Sequence, residues 1–355
     1  INAQRVENAV ELASRDRIQL GPAGPRIDVV FEEKEDSNFE SSTIIRQQHA
    51  VHFPLALYRT FPQRFRSFER VGEGGYGQVW KAIPHDDGEP VAIKYLRPEL
   101  LAGADSTTSI QRVGQLAKRF KREARIMHLL YESGAHGVAR VFEAGGDSEE
   151  GFLYMILELV EGSSLDKVLA HRTKLEEKRV CRYMYHVATT LARTHEFQFE
   201  DDETGEVVRG IVHRDVKPSN IIIRRGDDRA ILCDFGIAAM QEGGERLTMH
   251  MMPVFTHKYT APEVLESNDV SAATDLWGLS VVAYTLLTGG KYPYGGMGIA
   301  DTIKAIRTQK MAPVSLHRPE VSEGLEEMLA KALHPKPAKR FQTAREWAKA
   351  IEPFC

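Results

Sequence analysis

The sequence predicts an α+β chain with two lobes: a small antiparallel β-rich lobe, then a large helical one, with a short β-rich extension ahead of both. Three observations carry this expectation. Apolar residues alternate with polar ones from Phe65 to Pro98, in stretches such as QVWKAI and EPVAIKYL, which is the period of half-buried strands. After residue 165 the apolar spacing lengthens to that of helices. A glycine-rich run at 72–77 separates two stretches of β character near the start of the first lobe.

Residues 1–32 place Val10, Leu12, Ile18, Leu20, Ile27 and Val29 in short apolar runs, broken by Gly21-Pro22 and Gly24-Pro25. So small a β-rich piece has little apolar surface to bury. Residues 33–64 open on the acidic EEKED, contain Pro54 and Pro62, and read as a linker with a short helix. FRSFERVGEGGYGQVWKAIP and EPVAIKYLRP read as antiparallel strands joined at Asp86-Asp87-Gly88. Residues 99–117 read as a long surface connection into a helix, and AKRFKREARIMHLLY is helical, with Phe120, Ala124, Met127 and Leu130 on one face. Strands are expected at 138–144 and 152–159. VCRYMYHVATTLARTHEF, SAATDLWGLSVVAYTLLTG and EGLEEMLAKAL are the helices of the second lobe.

Composition narrows the function classes. Hydrophobic residues make up 42% and charged residues 27%, an ordinary globular balance. A formal net charge of −4 supplies no positive field for nucleic acid, and basic runs such as Arg224-Arg225 read as solvated faces. The three cysteines, Cys181, Cys233 and Cys355, have neither metal-ligand spacing nor a disulfide framework. Cys233, inside the apolar run AILC, reads as a packed thiol. No stretch is long and apolar enough to cross a bilayer, no signal peptide opens the sequence, and the expected location is cytoplasmic. The chain opens on Ile1, which suggests a fragment or a processed product.

Chemistry is concentrated in a few motifs. Gly72, Gly74 and Gly77 form G-x-G-x-x-G, where missing side chains let backbone N–H groups close over phosphates. Dinucleotide folds share this spacing, but they continue into a helix, whereas QVWKAI continues as a strand. Lys94 ends the apolar strand VAIK, so its ammonium needs anions, which the α and β phosphates of a nucleotide supply. Its protein partner is expected to be Glu123, four residues before Met127 on the inward helix face, ahead of Glu99 and Glu132. Residues 213–220 read HRDVKPSN. Asp215 is the expected catalytic base, Lys217 the group that steadies the transferred phosphate, and Asn220 a magnesium ligand. Asp234 of DFG is the other metal ligand, because a carboxylate and an amide oxygen suit Mg²⁺ or Mn²⁺. His213 and Phe235 read as packing residues that align the loop. Glu263 of APE is expected to pair with the distant Arg340. Asp275, mid-helix among apolar neighbours, must accept hydrogen bonds from the HRD loop, because an unpaired buried carboxylate is costly.

This ordered set resembles the eukaryotic-type serine/threonine protein kinase family, bacterial members included, over residues 65–354. The resemblance implies a first lobe at 65–160, a second at 161–354, and ATP with Mg²⁺ or Mn²⁺ bound between them. It implies that Val79, Ala92 and Ile222 face the adenine, that Glu158 and Val160 of ELVEG offer it backbone hydrogen bonds, and that Leu157 is the gatekeeper. Lys217 and Thr256 fit the serine/threonine branch, so the implied partners are proteins with Ser or Thr acceptors. Autophosphorylation would bring two copies together as a homodimer. Thr248 is the expected phosphosite, with Arg214 as its partner. The chain departs from the family at Phe255, at an acidic insertion over 197–210, and in its long loop before the Glu123 helix. Two other functions compete: a pseudokinase or scaffold, which would lack one of Lys94, Asp215, Asn220 and Asp234, and a small-molecule kinase, which would not need the APE segment. Separately, INAQRV and RDRIQLGPAGPRIDVVF resemble the last strands of a forkhead-associated domain without the loops that grip phosphothreonine, which implies no phosphopeptide binding by residues 1–32.

Overall fold

The computed structural model describes two short strands at 17–19 and 26–28 and residues 61–355, apart from 62, 74–76, 87, 97–106, 148–151, 172–173, 202–204, 236–257, 268, 297–298 and 309. The chain divides into two compact units, 1–71 with 80–90, and 72–79 with 91–355.

In the first unit β1 (Arg17–Gln19) pairs antiparallel with β2 (Arg26–Asp28), Ile18 opposite Ile27. Strands β3 (Phe65–Glu73) and β4 (Gly77–Pro84) each have residues in both units. Phe61 and Phe65 meet edge to face at 5.5 Å, and Arg64 lies over both rings. After β4 the Asp86 side chain accepts the Gly88 N–H at 3.2 Å, the Asx turn that Asp-Asp-Gly favours.

The second unit holds an antiparallel sheet and a body of helices. Its strands β5 (Val91–Leu96), β6 (Val141–Asp147) and β7 (Phe152–Glu158) pair in the order β5-β7-β6, with Ala92 opposite Leu157 and Lys94 opposite Met155. Helix α1 (Thr107–Glu132) begins inside the stretch that reads as a surface loop, because the weak helix formers Thr107, Thr108 and Gly114 mask the helical spacing of Ile110, Val113, Ala117 and Phe120. Phe120, Ala124, Met127 and Leu130 are buried along one face, and Glu123 is buried with them.

Beyond β8 (Gly162–Ser164) and the short α2 (Leu165–Ala170), α3 (Glu177–Glu196) buries Val180, Tyr183, Met184, Val187 and Leu191 at helical spacing. Strands β9 (Gln198–Glu200) and β10 (Val207–Arg209) then form a hairpin, and β11 (Ile221–Arg224) pairs with β12 (Ala230–Leu232). The short α4 (Pro262–Ser267) precedes α5 (Ala272–Thr288), which is buried almost all round, the mark of a central helix. Ser271 N–H donates to Thr274 Oγ1 at its start, and Gly289 ends it in the left-handed region at φ 69°. Helices α6 (Ile299–Thr308), α7 (Glu323–Ala332) and α8 (Ala344–Ile351) complete the body. Trp347 of α8 donates its indole N–H to Ser280 of α5 at 3.0 Å, so this buried ring meets its polar requirement.

Candidate functional site

The residues expected to carry the chemistry gather in two clusters of polar side chains, and both lie in the second unit. In the first, Lys94 Nζ is 2.8 Å from Glu123 Oε1 and 3.1 Å from Asp234 Oδ1. Strand β5 delivers the lysine and helix α1 the glutamate. Burial alone would lower the Lys94 pKa, but Asp234 and then Glu123 hold it well above its ordinary value. Lys94 likewise holds the Asp234 carboxyl below the usual carboxylate range. Burial pushes the Glu123 carboxyl up, and Lys94 opposes that. Glu123 is 2% exposed whereas Asp234 is 50% exposed, so the aspartate keeps a face for an incoming cation.

In the second cluster Asp215 Oδ2 meets Lys217 Nζ at 2.6 Å and accepts from Asn220 Nδ2 at 3.0 Å. Asn220 Nδ2 also donates to the Asp215 carbonyl at 2.9 Å, and Ser219 Oγ donates to Asn220 Oδ1 at 3.3 Å. The asparagine thus turns its amide nitrogen toward Asp215 and its oxygen toward the Ser219 hydroxyl.

The backbone of Cys233 joins the clusters. Its N–H donates to the Asn220 carbonyl at 2.8 Å, and its carbonyl accepts from His213 Nε2 at 3.1 Å. His213 Nδ1 accepts the Asp215 N–H at 3.3 Å, so both ring nitrogens are used and the ring is neutral with its proton on Nε2. Burial lowers the His213 pKa, in keeping with that state. The ring also lies 4.6 Å from that of Phe235. The Cys233 thiol is pushed up by burial, as expected of a packed thiol.

Asp275 of α5 is the anchor beneath this loop. It is 1% exposed and accepts the backbone N–H groups of His213 and Arg214, each at 2.7 Å. His195 Nε2 donates to the same carboxylate at 2.8 Å, a partner with no signal in the sequence. Arg214 and Asp234 have positive φ, 70° and 56°, so the chain is held in sparsely populated conformations on both sides of the site. Gly278 explains how α5 comes so near: a Cβ there would sit 2.7 Å from the Val216 carbonyl oxygen. Glu263 and Arg340 form a two-pronged pair at 2.8 and 2.9 Å, with the Arg340 side chain fully buried.

Among the residues expected at a nucleotide, a Cβ on Gly77 would lie 2.3 Å from the Tyr95 carbonyl oxygen, so only glycine lets this strand lie against its neighbour. Gly72 lies in β3, and Gly74 is outside the described residues. Val79 is half-buried against the apolar cluster that includes Ala92 and Leu157. Ile222 lies in β11, opposite Ile231. The Glu158 N–H donates to the Arg140 carbonyl at 2.8 Å, and half-buried Val160 follows two residues on. Phe255, Thr256 and Thr248 lie outside the described residues. No described helix is long and apolar enough to cross a membrane.

With this geometry established, residues 65–350 match the protein kinase domain family. The chain belongs to that family. It is similar to serine/threonine-protein kinase PknA of Mycobacterium tuberculosis, with 30% identity over 82% of this chain and 61% of that protein. It is similar to serine/threonine-protein kinase Pkn1 of Myxococcus xanthus, with 30% identity over 81% of this chain and 38% of that protein. The crystal structure of the Mycobacterium tuberculosis PknI kinase domain superposes with a TM-score of 0.55 at 25% identity, covering 82% of this chain and 97% of that one. The chain spans about three-fifths of the length of the PknA it matches. The domain has an antiparallel sheet lobe and a helical lobe, and its family uses ATP and a divalent metal.

Proposed function

We propose that this protein transfers the γ-phosphate of ATP to serine and threonine hydroxyls of proteins, its own chain among them. The observation that supports this best is the pairing of Lys94 with both Glu123 and Asp234 beside the Asp215–Lys217–Asn220 cluster. Lys94 binds the α and β phosphates, and Glu123 keeps it in reach. Asp215, its Oδ2 steadied by Lys217 and Asn220, orients the acceptor hydroxyl and takes up its proton. Lys217 sits where it can also meet charge on the transferred group. Gly72 and Gly77, and Gly74 by its place in the motif, are assigned to the phosphates, which backbone N–H groups would meet. Val79, Ala92 and Ile222 enclose the adenine, and Glu158 and Val160 meet its edge through the backbone.

Asp234 and Asn220 would hold Mg²⁺ or Mn²⁺. Two hard oxygen donors, one on a half-exposed carboxylate, fit such an ion with phosphate and water completing its shell. Among the described residues no group of three or more His, Cys, Asp or Glu forms a denser metal cluster. When bound, the ion neutralises phosphate charge and aligns the leaving group. Residues 1–32 are read as a forkhead-associated remnant with no phosphopeptide binding of its own, 33–64 as a linker, and 65–354 as the catalytic domain.

Transfer from ATP to a serine- and threonine-containing protein, compared with transfer to sugars, tests this reading. Label should enter protein only, should cease in excess EDTA and return with added Mg²⁺, and should be absent in folded Asp234→Asn. Full transfer in EDTA, or transfer to sugars alone, would overturn it.

A further inference from the structure

The β9–β10 hairpin is an insertion with no role in the chemistry above, yet it lies against the helix that carries Glu123. Asp201 Oδ2 is 3.6 Å from Arg122 Nη2, with the two side chains 13% and 27% exposed. Arg125 Nη2 reaches the Glu200 carbonyl at 3.5 Å. Arg122 and Arg125 flank Glu123 in α1, so the hairpin holds the helix on either side of the residue that engages Lys94. Apolar contact adds to this: Phe197, Phe199 and Val208 cover the cluster to which α1 contributes Phe120, Ala124 and Met127. Phe197 and Phe199 stack at 5.9 Å.

The hairpin is itself held firmly. Asp201 N–H donates to the Glu206 carbonyl at 2.9 Å, and Gly205 N–H returns to the Asp201 carbonyl at 2.7 Å, with Gly205 at φ 68°. At its base Gly210 N–H donates to Phe197 O at 2.8 Å and Ile211 N–H to Thr194 O at 2.9 Å. Ile211 stands two residues before His213. One short segment is therefore continuous with the catalytic loop at one end and in contact with α1 at the other.

We infer that the hairpin over residues 198–209 is a built-in strut that couples the catalytic loop to α1 and keeps Glu123 on Lys94, with Asp201 and Arg122 as positioning residues. In a kinase domain, loss of this pair disables phosphate binding, so support on the outer side of α1 sets the fraction of molecules ready to react. The inference rests on the proposed phosphoryl transfer for its kinetic consequence but not for its structural one.

The test is a charge-swap cycle on the full chain: Asp201→Lys, Arg122→Glu and the double variant. Asp201→Lys should lower kcat/KM for ATP about 3–10-fold with an unchanged melting temperature, and the double variant should recover most of it. Amide hydrogen exchange at 118–127 should quicken in Asp201→Lys and return toward normal in the double variant. Unchanged exchange there would overturn the strut whatever the activity. A kinetic loss that the double variant does not recover would also overturn it. A wild-type chain that transfers no phosphate while the exchange pattern holds would sink the proposed function and leave the strut standing.

Discussion

The catalytic loop at 213–220 and the helix that carries Glu123 are held by opposite means. The loop is fixed from within. Asp275, almost fully buried, takes two of its backbone N–H groups, and His213 uses both ring nitrogens. Helix α1 buries Glu123 on its inner face, but the support beside it comes from half-exposed arginines reaching a surface hairpin. Buried, fully satisfied polar groups are costly to lose, whereas ion pairs near water contribute about 0–1 kcal/mol each. The loop is thus built to stay still, and the lysine–glutamate pair is built so that modest changes can shift it.

That contrast breaks most visibly at Asp275. Asp275→Ala leaves two backbone N–H groups and His195 without their acceptor, and stability should fall by roughly 3–5 kcal/mol. Urea unfolding reads the loss, and the milder Asp275→Asn should fall between it and wild type. Transfer should drop far more than in any variant of the hairpin. A variant as stable and active as wild type would show that the loop does not depend on its buried anchor.

A smaller effect comes from pH. Burial holds the folded His213 pKa below its ordinary value near 6.5, so the unfolded chain binds the extra proton more readily. The neutral ring's contribution is complete above the unfolded pKa and is lost as pH falls from there toward the folded one. Across that window wild type should lose up to about 1.4 kcal/mol per pH unit from this group. His213→Gln, which does not titrate, should show a flatter slope in urea unfolding between pH 7 and 5. Parallel slopes would mean that the loop tolerates an imidazolium.

Much of the loop was legible in the sequence because its chemistry lies in contiguous residues. HRDVKPSN and DFG name their side chains directly, and Asp275 was legible as a carboxylate among apolar neighbours that had to find donors. The supports of α1 were harder to read. The helix begins at Thr107, where Thr107, Thr108 and Gly114, all weak helix formers, mask the apolar spacing of Ile110, Val113, Ala117 and Phe120, and residues 197–210 read as an acidic surface insertion. The signal there was the alternation of Phe197 and Phe199 within the acidic run, two aromatic residues that a purely solvated loop would not need. His195 left no trace in the sequence, because its partner lies 80 residues away.

The central claim is that Asp215, beside Lys217 and Asn220, serves the acceptor hydroxyl in transfer from ATP. Wild type and Asp215→Asn should be incubated with Mg²⁺ and ATP radiolabelled at the γ position, and labelled residues mapped by mass. Nucleotide binding should be measured on the same samples. The account predicts label on serine and threonine with wild type, and binding without transfer in Asp215→Asn, a loss of about 10²–10⁴-fold. Wild type that binds nucleotide but labels nothing, or Asp215→Asn that labels as well as wild type, would contradict it.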